Sequence, residues 1–437
     1  MSTAEIDPIG PIGPIWRWLA FAAIVAAAGS LAFSGARHAV AAHWAGSTGP
    51  AQWLRAAQTE PSNADRWYEL ARYRQLDFEY SDLPLALDYY RRATSLNPGS
   101  PFYWMDFASA YDSAGDPAEA EQAFRKAREL YPISADAAWR LGNFLLRQGR
   151  VPEAFQQIHD ALAVDSKLTV SAISVCWRST RDIDQILKTV LPDGPDENWG
   201  AIQFFVQARE PLAAMAVWKR IAAHRDSFPA ADAFPLLDML IATGHVDEAR
   251  VVWNQALQAA AVPHESDAGG SLVWNSGFEN EPLDGGFDWR FLPIEGAEMR
   301  WDEEYLHSGR RSLRVDFDGK TNVDFENVWQ YVPVSPSTSY RFSAFFRTED
   351  LTTDSGIHFD IREVSRAGTP VRSTPNLVGS QNWAEQNIAI VTGPDTSLLQ
   401  IVLRRTRSDK LGNKIRGTAW IDDVTLVPAT NRVGKPR

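Results

Sequence analysis

The sequence predicts a multidomain chain: an N-terminal transmembrane helix, an all-α helical-repeat solenoid, and an all-β sandwich at the C-terminal end. Three observations predict it. Residues 18–36 carry no charge, apolar residues between 51 and 262 recur at helical spacing in a repeating scheme, and beyond 271 the period changes to two. The implied boundaries are a tail at 1–15, a membrane or signal segment at 16–37, repeats at 51–262, a linker at 263–270, the sandwich at 271–428 and a tail at 429–437.

The apolar segment reads "WLAFAAIVAAAGSLAFSGA", residues 18–36. As a helix it spans about 28 Å, close to the ~30 Å hydrocarbon core of a bilayer. Trp16 and Trp18 suit the membrane interface, and Arg17 and Arg37 flank the run. The competing reading is a cleaved signal peptide, because "AVA" at 39–41 offers small residues before a cut. One Arg on either side does not orient the span.

The repeats are read best from "PFYWMDFASAYDSAGDPAEAEQAFRKARELYP", residues 101–132. Trp104, Ala108 and Tyr111 share one helical face, and Gly115 ends that helix. Asp116 and Pro117 start a second, with Ala120, Phe124 and Ala127 on its face and Pro132 beyond its end. Gly142, Leu145, Gly149, Ala154, Ile158 and Ala161 fill the same slots one repeat later. Upstream, Trp67, Ala71, Ala86, Tyr90, Ala93 and Pro98 repeat the scheme with a longer turn between the helices. Leu237, Leu240, Gly244, Ala249, Trp253 and Ala256 close the array, after a degenerate copy at Ala214, Trp218 and Ile221. This pattern resembles the tetratricopeptide repeat family, weakly between 166 and 200. The resemblance implies about five or six helix pairs and a concave surface that binds a protein partner. The plainer alternative is a spacer that holds the C-terminal domain off the membrane.

Hinge composition appears at "AAAVPHESDAGGS", residues 259–271. Strands are predicted at 327–334, 340–348, 356–364, 397–406 and 417–427. The motifs "NSGFE" (275–279), "HSGRRSLRV" (307–315), "VPVSPSTSYRFSAFFRT" (332–348) and "WIDDVTLV" (420–427) follow in order. Together they resemble the jelly-roll carbohydrate-binding modules attached to cellulases and xylanases. In that family a Glu of the first motif and an Asp of the last strand help hold a structural calcium. Carried onto this chain they are Glu279 and Asp422, with Asp423 the alternate. A hard cation wants such oxygens, and one joining first and last strands would clamp the domain's ends. The alternative is that Asp422 and Asp423 pair with Arg or accept turn hydrogen bonds.

Strand alternation assigns side chains to faces. Val328, Val332 and Val334 share the core parity, so Trp329 and Tyr331 point outward. Phe345 and Arg347 are outward on the next strand, and His358, Asp360 and Arg362 on the one after. An aromatic and charged set on one open sheet face would suit polysaccharide, because sugar rings stack on aromatics while polar side chains bond the hydroxyls. The competing reading packs these aromatics under a loop or against the repeats.

Composition narrows the partners. The 437-residue chain is 45% hydrophobic with a formal charge of −12, which argues against a nucleic-acid partner. Its single cysteine, Cys176, sits among apolar neighbours and reads as a core residue and not as a reactive thiol. No HExxH, phosphate-binding glycine loop or GxSxG occurs. The acidic run Asp302, Glu303, Glu304 reads as a solvated loop and not as a glycosidase pair. The expectation is a non-enzymatic, single-pass adaptor of the bacterial inner membrane, with repeats and jelly roll extracytoplasmic, serving polysaccharide assembly or export. A purely structural envelope scaffold and a glycan-processing enzyme are the alternatives.

Overall fold

A computed structural model describes residues 14–46, 49–262, 270–364 and 370–429. The chain divides into two compact units, Met1–Pro192 and Asp193–Arg437. This division falls inside the predicted array and not at the predicted linker, of which residues 263–269 lie outside the described residues. Most of both predicted tails also lies outside them.

The first unit opens with α1 (Pro14–Ala45) and α2 (Pro50–Thr59). Among the described residues, α1 is the one helix long and apolar enough to cross a membrane. It runs beyond the predicted 18–36 and contains the "AVA" at 39–41. Residues 15–36 are exposed throughout, whereas Ala41 is fully buried. The change falls at Arg37, whose guanidinium donates to the Thr59 carbonyl at 2.6 and 3.0 Å. His38 bonds Glu60 at 2.8 Å beside it.

Four hairpins follow in this unit: α3 (Ala64–Leu76) with α4 (Leu83–Leu96), α5 (Pro101–Ala114) with α6 (Pro117–Leu130), α7 (Ala135–Arg147) with α8 (Val151–Leu162), and α9 (Thr169–Thr180) with α10 (Ile183–Thr189). Capping follows sequence. Asn63, Asp82 and Ser134 accept backbone N–H groups of the helices they precede, and Gly115 ends α5 in the left-handed region. The small residues of the pattern are where helices touch. A Cβ on Gly142 would stand 2.8 Å from Ile158 Cγ1, so only glycine lets α7 and α8 approach this closely. The indoles of Trp67 and Trp104 lock the preceding turns by donating to the carbonyls of Pro61 and Pro98. Cys176 is fully buried, and burial pushes its thiol up to about 12, as expected of a core cysteine.

The second unit holds two more hairpins, α11 (Pro195–Ala208) with α12 (Pro211–His224), and α13 (Phe234–Ala242) with α14 (Val246–Ala259). A sandwich of ten strands follows: β1 (Arg290–Phe291), β2 (Ala297–Asp302), β3 (Ser312–Asp318), β4 (Phe325–Pro333), β5 (Ser339–Leu351), β6 (His358–Glu363), β7 (Arg372–Ser373), β8 (Gly379–Val391), β9 (Leu398–Arg405) and β10 (Arg416–Pro428). They form two antiparallel five-stranded sheets, ordered β1-β4-β9-β6-β7 and β2-β3-β10-β5-β8. Phe278, Trp289, Phe325, Phe342, Phe346 and Phe359 fill the space between the sheets.

The Asn/Gly/Asp-rich stretch before β1 makes a strap against the last hairpin. Asn275, Phe278, Asp284 and Gly286 all have positive φ. Such φ values suit Asn, Asp and Gly, which explains most of the change in composition. Trp253 of α14 meets Trp274 and Phe287 at ring-centroid distances of 5.5 and 6.1 Å. A Cβ on Gly285 would stand 2.1 Å from Phe234, and one on Gly286 2.4 Å from Trp253. These contacts join the α13–α14 hairpin to the sandwich.

Candidate functional site

Along β4, Val328, Gln330 and Val332 are buried while Trp329, Tyr331 and Pro333 are only partly covered. The outward parity predicted for Trp329 and Tyr331 therefore holds. Gln330 turns inward because its amide exchanges two 2.9 Å hydrogen bonds with the Trp274 backbone. The two outward rings meet edge to face at 4.9 Å. Arg290, opposite Trp329 on β1, lies over both rings, 4.8 Å from the Trp329 centroid and 5.8 Å from that of Tyr331. A 2.5 Å ion pair with Asp238 of α13 holds it there. Burial raises the Tyr331 phenol above its ordinary value.

Beside these groups opens a cleft of about 520 Å³. Asp238, Ile241, Gly244 and Val246 line it from the helical hairpin, and Arg290, Trp329, Tyr331, Asp395 and Ser397 from the sandwich. The same sheet face continues across β9 onto β6. Trp329 and Asp360 both register with Val402, and Tyr331 and Arg362 both register with Gln400. Each pair is thus two strands apart, roughly 10 Å. Burial works against the Asp360 carboxylate, yet His358 at 3.3 Å, Ser373 at 2.6 Å and Arg362 at 3.4 Å hold it down to about 2. Arg362 also reaches Glu326 of β4 at 3.3 Å. Trp329, Tyr331, His358, Asp360 and Arg362 therefore share one face, as expected.

Phe345 and Arg347 do not join them. They are outward too, but β5 belongs to the other sheet, so they lie on the opposite side of the sandwich. The loop before β3 also covers them. His307 stacks on Phe345 at 3.6 Å, and Arg347 lies over Tyr305 at 4.6 Å and over Trp420 at 5.4 Å. The Asp302 reading changes as well. Glu303 and Glu304 are exposed, but Asp302 is buried and accepts from the Trp420 indole at 2.8 Å and Arg314 at 3.1 Å. Burial raises its carboxyl, but these donors and two backbone N–H groups hold it at about 2.

Glu279, Asp422 and Asp423 do converge on one loop, residues 307–310. Asp422 accepts the backbone N–H groups of His307, Ser308 and Asp423 at 2.9, 3.1 and 2.8 Å. Asp423 holds the His307 ring at 2.5 Å and the Ser308 hydroxyl at 2.8 Å. Glu279 accepts the Arg310 N–H at 2.8 Å and its guanidinium at 3.2 Å. These three carboxylates are thus occupied by N–H, hydroxyl and guanidinium donors of the loop. Among the described residues no group of three or more His, Cys, Asp and Glu is placed to hold a metal.

Sequence reasoning missed Arg290, Asp238, Asp395 and Ser397. No local pattern couples a helix residue at 238 to a strand residue at 290.

Residues 105–166 match the family model for the tetratricopeptide repeat. The small glutamine-rich tetratricopeptide repeat-containing protein 2 of Mycosarcoma maydis is 34% identical over 111 residues, 24% of this chain and 30% of that protein. The chain thus spans about a third of the curated relative it matches. Among solved structures, MamA is similar at 16% identity with a TM-score of 0.29, covering 32% of this chain and 81% of its own. Family 16 Carbohydrate Binding Module-2 is similar at 16% identity with a TM-score of 0.26, covering 36% of this chain and 99% of its own.

Proposed function

We propose that this chain is a membrane-anchored adaptor with the repeats and sandwich outside the cytoplasm of a bacterium. Its repeats engage a protein partner, its sandwich binds polysaccharide, and the pair serves polysaccharide assembly or export. The observation that carries the glycan reading is the outward Trp329–Tyr331 pair beside an open cleft, with Asp360 and Arg362 on the same face. Ring faces at such a site stack on sugar C–H groups, and the carboxylate and guanidinium bond hydroxyls. Membrane attachment draws on the exposed, apolar first half of α1. Protein engagement draws on the repeat match at 105–166. The proposed role is binding; Asp302, the first residue of the acidic run, pairs with Trp420 and Arg314.

The test is a panel of neutral and acidic bacterial polysaccharides titrated onto the detergent-solubilised full chain. Binding by the native chain that weakens about thirtyfold in Trp329→Ala supports the reading, the loss typical of a truncated aromatic anchor. Binding to no member of the panel overturns it. Arg290 favours a second reading, in which the face is an internal interface. Its guanidinium already covers both rings and ties them to α13.

A further inference from the structure

The antiparallel hairpins of the first unit fix the side on which each turn lies. Arg37 of α1 bonds Thr59 at the end of α2, so the α2–α3 turn is level with the point where the exposed part of α1 begins. Strict alternation of helix direction then brings the α4–α5, α6–α7 and α8–α9 turns to that same edge. Cross-helix contacts agree: Tyr103 at the start of α5 bonds Asp65 at the start of α3, and Arg128 near the end of α6 bonds Asp160 near the end of α8. From this edge residues 15–36 project outward for about 33 Å, enough to cross a ~30 Å hydrocarbon core.

Among the polar turn residues of this edge stand exposed apolar side chains. Ile133 in the α6–α7 turn is 70% exposed and Phe102 at the start of α5 is 56% exposed. Leu96, Tyr131 and Val164 are exposed beside them. The opposite edge has exposed Leu76, Phe78 and Tyr80 at its first turn only; its next two turns are Gly115-Asp116 and Gly149-Arg150, so the apolar residues recur from turn to turn only on the edge from which α1 projects. The Trp67 and Trp104 locks stiffen two of the near-edge turns, which spares the entropy of ordering them on a surface.

We propose that this edge of the first repeats rests on the lipid bilayer, with Phe102, Tyr131 and Ile133 seated at the headgroup–acyl boundary. The inference rests on the reading of α1 as a membrane span and deepens it: the repeats are a platform seated on the membrane and not a module swinging from a tether. Apolar and aromatic side chains favour that boundary, and each adds to the hold of the single helix.

Depth-dependent quenching tests it. The full chain is placed in phosphatidylcholine nanodiscs carrying nitroxide-labelled acyl chains, with one fluorophore at Leu31→Cys, Ile133→Cys or Gln148→Cys. Cys176 is buried, so the native chain serves as the unlabelled blank. The expected result is loss of most fluorescence at 31 and 133, while the label at 148, on the opposite edge, stays bright. Quenching at 31 with a label at 133 as bright as that at 148 overturns the platform and leaves the anchor standing. A bright label at 31 overturns both.

Discussion

Trp329 and Arg290 decide what the sandwich face can do. The guanidinium spans both rings, and a cation–π contact of this kind contributes roughly 0.5–2 kcal/mol. If glycan stacks on the rings, it competes with Arg290. Arg290→Ala should therefore strengthen glycan binding in the same titration in which Trp329→Ala weakens it. An Arg290→Ala variant that loses binding would make the guanidinium a sugar contact instead. Asp288 gives a prediction in pH. Burial pushes its carboxyl up to about 7, against the backbone N–H groups of Leu283 and Trp289, while nearby Asp284 adds to the rise. The folded value lies above the unfolded one, so the stabilising contribution is full below pH ~4 and is lost as pH rises through about 7, up to ~4 kcal/mol. The melting temperature should fall across that window, and Asp288→Asn should flatten the fall. An equal fall in both proteins would assign it to other groups. At this scale alternation was readable along each strand, because a pleat has a period of two. It says inward or outward and never which sheet. β4 and β5 are consecutive in the chain but lie in different sheets, so parity alone groups Phe345 and Arg347 with residues on the far side.

Among the elements, the strap before β1 and the last helical hairpin act together. Gly286 combines a φ of +55° with a Cβ position 2.4 Å from Trp253. Gly286→Ala should lower stability by about 2–3 kcal/mol through strain and overpacking. A thermal melt unchanged by this substitution would mean that α14 does not press on the strap. The link between Glu279 and the 307–310 loop is hydrogen-bonded, so Glu279→Ala should cost about 1 kcal/mol and a chelator should leave the native melting temperature unchanged. A chelator-induced drop reversed by calcium would show that the loop reorganises around a cation. The helix pairs were legible because Ala and Gly recur where helices cross, as Gly142 against Ile158 shows. Their grouping was not legible. The array looks continuous in sequence, while the compact unit that contains the sandwich begins at Asp193, since long-range contacts such as Arg290–Asp238 leave no periodic trace.

For the molecule as a whole, the proposed function needs a membrane span, a repeat platform and a glycan-binding face in one chain. The apolar run of α1 was legible from composition alone; that α2 folds back along its last turns, tied at Arg37 and His38, was not. Recruitment of polysaccharide to a membrane tests the combination most directly. The full chain is reconstituted into vesicles, fluorescent polysaccharide from the titration panel is added, and the vesicles are floated through a density gradient. Polysaccharide should float with vesicles bearing the native chain. It should remain at the bottom of the gradient with Trp329→Ala, or with a chain lacking residues 1–36. Polysaccharide that floats equally with Trp329→Ala, or that never floats with the native chain, would contradict the proposed function.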